Sequence, residues 1–156
     1  MSFDKVQFTE LIIDTLVKLN KCSVDAVNLL LGTCAVESNF GAYLKQIGGG
    51  PAHGIFQMEL NTERDIWLNY IYYNEDLTKI IYDICKVIEP DKYQLRANLP
   101  YQIIMARCHY LRVAEALPTT IQGYAKYWKK YYNTVKGKGT EEKFIANYNR
   151  YILNGN

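Results

Sequence analysis

The chain has 156 residues, of which 49% are hydrophobic and 22% are charged; this balance indicates a single folded domain over residues 1–156 and excludes a disordered chain. The formal net charge is only +2, so no global electrostatic field favours nucleic acid or anionic lipid, and we expect no nucleic acid partner. The four cysteines show neither CxxC pairing nor a histidine at metal-ligand spacing. We therefore expect buried free thiols, no metal site and no cofactor.

Apolar residues that recur at three- and four-residue steps predict a succession of amphipathic helices. The first helix is predicted over roughly residues 4–20. Ser23 can cap the second helix, which ends near Ser38 with Gly41 as its stop. Residues 42–58 are then expected to hold a short hairpin.

Proline, asparagine, threonine and glycine mark the boundaries of the remaining predicted helices. These boundaries are Asn61 or Thr62, Asn74, Pro90, Pro100, Pro118, Thr119 or Thr120, the break at 136–139, and Thr140. No alternating strand pattern longer than a few residues occurs. The sequence therefore predicts a mainly α domain of about six to eight helices.

Residues 35–59 differ from the rest of the chain, because a helical apolar pattern ends in an acidic residue, Glu37, and a glycine-rich loop follows. Glu37 falls on the edge of the inward face, at the C-terminal end of its helix. Burial and the negative end of the helix dipole both raise the pKa of a carboxyl group, as a general acid near neutral pH requires. The alternative is a solvated glutamate near a helix C-terminus, or one paired with Lys45 or with an arginine such as Arg107.

The loop Gly48–Gly54 is rich in residues that let backbone approach a ligand closely. It has neither the lysine of a phosphate loop nor the spacing of a dinucleotide fingerprint. Gln57, which follows it, supplies an amide that can bind a sugar hydroxyl or an N-acetyl group. His53 is a further candidate for a saccharide contact, although a lone loop histidine is more often solvated.

Three motifs occur in the same order as in the lysozyme-like superfamily. They are Glu37-Ser38-x-Phe40-Gly41, Gly54-Ile55-Phe56-Gln57-Met58 and Tyr131-Tyr132-Asn133-Thr134. They resemble the "ES", "GLxQ" and "AYN" motifs of soluble lytic transglycosylases and goose-type lysozymes, across about residues 25–152. The chain also resembles proteins encoded by tailed bacteriophages.

This resemblance implies a lysozyme-like fold and cleavage of the bond between N-acetylmuramic acid and N-acetylglucosamine. Glu37 would be the general acid that protonates the glycosidic oxygen. In lytic transglycosylases the same glutamate then acts as the base, and the muramic 6-hydroxyl closes a 1,6-anhydro ring. The implied substrate contacts are Ser38, Gln57, Tyr132, Asn133 and a tyrosine of the last helix, Tyr148 or Tyr151.

Glu59 bears on which reaction takes place. Hydrolysis of a glycoside ordinarily uses a pair of carboxylates, whereas lytic transglycosylases need no second one and commonly have proline at this position. Glu59 is therefore predicted to be a second catalytic carboxylate, a substrate contact, or the start of the next helix.

The sequence thus predicts a phage-encoded lytic transglycosylase or muramidase that acts on the glycan strands of bacterial peptidoglycan. Two alternatives are a non-catalytic virion or tail protein that binds the wall through a lysozyme-like fold, and a helical nucleic-acid-binding module. The N-terminal residues lack the pattern of a secretory signal, and no apolar run is long enough to cross a bilayer. We therefore expect synthesis in the host cytoplasm and delivery to the wall with a holin or with other virion proteins.

Overall fold

The computed structural model describes residues 1–155, which form eight α-helices and one two-stranded antiparallel sheet. The helices are α1 (Lys5–Lys18), α2 (Val24–Ser38), α3 (Leu60–Asn69), α4 (Glu75–Cys85), α5 (Lys92–Ala97), α6 (Leu99–Leu111), α7 (Ile121–Trp128) and α8 (Glu141–Tyr148). The strands β1 (Ala52–His53) and β2 (Met58–Glu59) pair with Ala52 opposite Glu59. The mainly α class and the short hairpin near residues 42–58 are both confirmed.

Side-chain caps begin several helices where the sequence predicted them. The Ser23 hydroxyl accepts a hydrogen bond from the backbone N–H of Ala26, and Thr140 accepts one from that of Lys143. Of the two predicted threonines before α7, Thr120 is the cap. Each cap satisfies a backbone donor that the helix itself cannot pair.

Some predicted boundaries were wrong. Helix α2 ends at Ser38 as predicted, but its C-cap is Asn39, which takes the left-handed conformation with φ of 51°, rather than Gly41. Helix α3 begins at Leu60, before the predicted Asn61 or Thr62. Helix α6 begins at Leu99 and includes Pro100 in its first turn, where the missing N–H of proline costs no hydrogen bond.

The core is built around α2 and α6, whose residues are buried on nearly every face. Helix α2 packs against α1, α6, α7 and α8, and α6 packs against α1, α3, α4 and α5. Gly32 in α2 lies directly under the ring of Phe144 in α8, where any side chain would overlap that ring. Glu37 lies at the C-terminal end of this central helix, just before the connection that leads to the hairpin.

Helices α7 and α8 each continue into a π-helical turn, at Lys129–Asn133 and at Asn149–Leu153. Such turns are rare and are frequent at functional sites. The first turn holds Tyr132 and Asn133, two of the predicted substrate contacts.

All four cysteines are free. Cys34, Cys85 and Cys108 are buried, as predicted, but Cys22 is exposed because it lies in the connection between α1 and α2. Within residues 1–155, no group of three or more His, Cys, Asp or Glu side chains could hold a metal ion. Over the same residues, no helix combines the length and apolarity that a bilayer crossing requires.

Candidate functional site

A cleft of about 820 Å³ opens where the end of α2, the hairpin, α6 and the π-helical turn after α7 meet. This volume falls within the range of roughly 300–1,000 Å³ that is usual for small-molecule pockets. Five of the predicted site residues line it, namely Glu37, Gln57, Glu59, Tyr132 and Asn133. The fold therefore brings residues from three separate sequence motifs to one cavity.

Glu37 is a partly buried acid in this cleft. Its Oε1 accepts a hydrogen bond of 2.9 Å from Nε1 of Trp128. Burial raises the pKa of the Glu37 carboxyl from 4.5 to about 7, while the Trp128 hydrogen bond and the charge of Lys143 oppose that shift only in part. Near neutral pH this group can therefore both donate and accept a proton.

The alternative in which Glu37 pairs with Lys45 or Arg107 is wrong. The two ion pairs within residues 1–155 are Arg112–Asp65 and Lys130–Glu115. Arg107 instead donates to the backbone carbonyl of Lys21 at 3.1 Å. The Glu37 carboxyl is therefore not neutralised by a salt bridge.

Trp128 is a site residue that the sequence analysis missed. The apolar periodicity of α7 marks it only as a core residue, and its ring is buried, 5.6 Å from that of Phe144. A buried indole N–H needs an acceptor, and Glu37 supplies it. The chain also passes close to this ring at Gly139, where any side chain would overlap the indole. The packing of α7 therefore orients the acid.

Gln57 lies in the turn between the two strands, with a positive φ of 47°. Its Nε2 donates to the carbonyl of Gly54 at 2.8 Å, which folds the amide onto its own loop. Gly54 has φ of 79°, and a Cβ there would overlap the carbonyl of Leu95 and the side chain of Gln102. Gln102 also accepts the Ile55 N–H at 2.7 Å, so α5 and α6 fix the loop that presents Gln57.

Tyr132 and Asn133 form another part of the cleft wall. The Tyr132 hydroxyl donates to the carbonyl of Phe56 at 2.7 Å, which joins the π-helical turn to the hairpin. Burial, together with the charge of Glu37, raises the pKa of this hydroxyl and keeps it protonated. Asn133 Oδ1 accepts a 2.7 Å hydrogen bond from Lys129, which fixes its orientation.

Glu59 lies at the rim of the same cleft as Glu37. It is exposed, and it occupies the N-cap position of α3 without a side-chain capping hydrogen bond. Glu59 therefore begins a helix, as one interpretation of the sequence predicted. Its carboxylate is also free of the capping role, so it is available to a ligand in the cleft.

Ser38 does not line the cleft. It is fully buried, donates to the carbonyl of Cys34 at 3.1 Å, and accepts the N–H of Gly41 at 2.9 Å. These bonds close the C-terminal end of α2. Ser38 therefore supports the backbone next to Glu37 and does not reach the space that a substrate would occupy.

His53 and Tyr148 also lie outside the lining of the cleft. His53 is on β1, which packs against α5, and burial followed by the charge of Arg96 lowers its pKa. Tyr148 is buried, with its ring 6.2 Å from that of Phe144. The lining of the cleft therefore includes neither side chain, and their contacts with a saccharide stay predictions.

His109 is a second residue that the sequence analysis missed, and it lines the cleft from α6. Its Nδ1 lies 2.8 Å from Nη2 of Arg112, and Arg112 forms an ion pair with Asp65. Burial, and after it the Arg112 charge, lowers the pKa of His109 to about 4. The available signal was a histidine within a mostly apolar helix.

Comparison of the chain with known proteins finds no match among family models, curated proteins or solved structures. The resemblance to lysozyme-like enzymes therefore stays a prediction based on three motifs. The geometry offers an acid with a pKa of about 7 in a sizeable cleft, flanked by an amide, a tyrosine hydroxyl and a neutral imidazole. Such a site is suited to protonating a leaving-group oxygen.

Proposed function

We propose that this chain is a peptidoglycan-cleaving enzyme, a lytic transglycosylase or muramidase of phage origin. Its substrate is the glycan strand, cut between N-acetylmuramic acid and N-acetylglucosamine. The main support is Glu37, a carboxyl with a pKa raised to about 7 in a cleft that also holds Gln57, Tyr132 and Asn133. These residues belong to the three motifs that resemble those of lysozyme-like enzymes, and all four line the same cleft.

In the proposed reaction a glycan strand lies in the cleft with its scissile oxygen next to Glu37. The protonated carboxyl gives its proton to that oxygen as the C–O bond breaks and positive charge develops at the sugar. The resulting carboxylate is stabilised by the N–H of Trp128 and by the charge of Lys143, the two groups that lower the pKa of Glu37. In a transglycosylase this carboxylate then accepts the proton of the muramic 6-hydroxyl. In a hydrolase the attacking water would give its proton to the second carboxylate, and Glu37 would regain its proton from solvent.

The choice between these two proton sources involves Glu59. A second carboxylate on the cleft can activate water, as glycoside hydrolases do, and Glu59 lines the cleft without a capping bond. If the enzyme is a hydrolase, Glu59→Gln loses most of its activity. If it is a transglycosylase, that variant keeps most of its activity and the product keeps its 1,6-anhydro ring.

The test is release of soluble muropeptides from purified bacterial sacculi. The proteins compared are the wild type, Glu37→Gln and the control Glu10→Gln, which alters an exposed glutamate on α1 outside the cleft. We expect release by the wild type and the control but not by Glu37→Gln. Mass spectrometry then separates the products, because the anhydro form lacks one water.

Two results would oppose the proposal in different ways. Undiminished release by Glu37→Gln would remove that residue from the chemistry. No release by the wild type, combined with co-sedimentation of the protein with sacculi, would favour the non-catalytic wall-binding alternative.

A further inference from the structure

The imidazole of His109 is held in one tautomer. Its Nδ1 lies 2.8 Å from Nη2 of Arg112. A guanidinium group has donors only and keeps its proton, so Nδ1 accepts this hydrogen bond. A neutral imidazole has a single N–H, which must then be on Nε2.

Arg112 is itself fixed, because it forms an ion pair with Asp65. The other oxygen of Asp65 accepts a hydrogen bond of 2.6 Å from Asn69. Asp65, Arg112 and His109 therefore form a chain of polar contacts that runs from the exposed face of α3 to the cleft. Burial, and after it the positive charge of Arg112, lowers the pKa of His109 to about 4, so the ring is neutral at neutral pH.

The Nε2 atom of His109 makes no hydrogen bond to any of residues 1–155. The buried side-chain polar atoms of these residues that lack a hydrogen-bond partner do not include it. It is therefore accessible, and the space that His109 lines is the cleft. The ring of Tyr132 packs edge-on at 4.7 Å, but the hydroxyl of that tyrosine is already donated to Phe56. His109 thus presents a fixed donor without an internal acceptor.

We propose that His109 is a substrate-binding residue whose Nε2–H donates to the acetamido carbonyl of an N-acetylated sugar, and that Arg112 and Asp65 are positioning residues that fix its tautomer. This inference rests on the proposed function. A fixed N–H donor pairs well with a carbonyl oxygen. The ammonium group of a de-N-acetylated sugar has donors only, so opposite His109 both groups would be left unpaired. The arrangement therefore selects N-acetylated glycans over de-N-acetylated ones.

The tautomer is tested first, in the absence of any ligand. Long-range ¹H–¹⁵N correlation spectra of histidine-labelled protein should show His109 protonated at Nε2 and bare at Nδ1 at neutral pH. In Arg112→Met the ring should instead populate both tautomers and titrate at a higher pH, because the accepted hydrogen bond and the opposing charge are gone. A wild-type ring protonated at Nδ1 would overturn the proposal.

Binding is tested by calorimetry in the Glu37→Gln background, so that the probe is not cleaved. The probes are chitotetraose and its fully de-N-acetylated counterpart. His109→Ala should weaken chitotetraose binding about fivefold, the effect of one neutral hydrogen bond, and should change binding of the second probe much less. His109→Gln, which keeps an N–H donor, should restore most of the affinity. Lys79→Ala, an exposed change on α4, is the control and should bind as the parent does.

The outcomes separate this inference from the function on which it rests. Suppose that the wild type cleaves sacculi and the parent binds chitotetraose, but that His109→Gln binds it no more tightly than His109→Ala. The role of His109 is then refuted, while the proposed function stands. If the parent binds neither probe and the wild type does not cleave sacculi, both proposals fail.

Discussion

Replacing Glu37 by glutamine should stabilise the folded protein above neutral pH, although it removes the proposed acid. Burial raises the pKa of Glu37 from 4.5 to about 7. Between these values the folded state retains a proton that the unfolded state has lost. The contribution of Glu37 to stability is therefore complete below pH 4.5 and disappears as the pH rises through about 7. Glutamine does not ionise, so the variant has no such loss.

The size of the effect follows from the shift in pKa. The shift from 4.5 to about 7 is about 2.5 pH units, and each unit corresponds to about 1.4 kcal/mol. The free energy of unfolding of Glu37→Gln, relative to wild type, should therefore rise by about 3 kcal/mol between about pH 4 and about pH 8.5. The N–H of Trp128 keeps an acceptor throughout, because the glutamine amide also has an oxygen.

The assay is urea unfolding followed by far-ultraviolet circular dichroism at both pH values. Tryptophan fluorescence is avoided because Trp128 contacts the altered residue. The control Glu10→Gln should follow the wild type at both pH values, since Glu10 is exposed. If the difference between Glu37→Gln and wild type is the same at both pH values, Glu37 does not have a raised pKa and the argument from burial is refuted.

Two further substitutions test the environment of the acid and the loop. Trp128→Phe removes the donor that stabilises the ionised carboxyl, so the pKa of Glu37 should rise and the alkaline limit of activity should move up by about one pH unit. Trp67→Phe is the matched control. A downward movement of the alkaline limit in Trp128→Phe would contradict the assignment. Gly54→Ala places a Cβ against the carbonyl of Leu95 at φ of 79°, which should lower the free energy of unfolding by about 2 kcal/mol. An unchanged urea midpoint for Gly54→Ala would show that the loop adapts.

The helical class and the caps were predictable because their signals are local. Ser23 and Thr140 precede apolar periodic segments, and each cap bond spans three residues. Helix α5 was missed because its six residues are too few to show a period. The π-helical turn at Lys129–Asn133 was missed because an amphipathic pattern does not distinguish it from a continuing α-helix.

The candidate site was predictable only in part. Glu37 could be identified because the local sequence pattern predicts its position at the end of an apolar helix. Its partner Trp128 is 91 residues away, and their contact depends on how α7 packs against α2. The motif resemblance pointed to Ser38 and Tyr148, but it does not give side-chain direction, and both side chains are buried. His109 and Arg112 are three residues apart, so their contact is local. The cleft that His109 lines is formed by elements that are distant in the sequence.

The most direct test of the central claim is the pH dependence of muropeptide release from sacculi. If Glu37 is the general acid, the rate of the wild type should fall as the pH rises through about 7, because the proton to be donated is then lost. Glu37→Gln should release nothing at any pH, while Glu10→Gln should reproduce the wild-type profile. Release by Glu37→Gln with an unaltered profile would contradict the account.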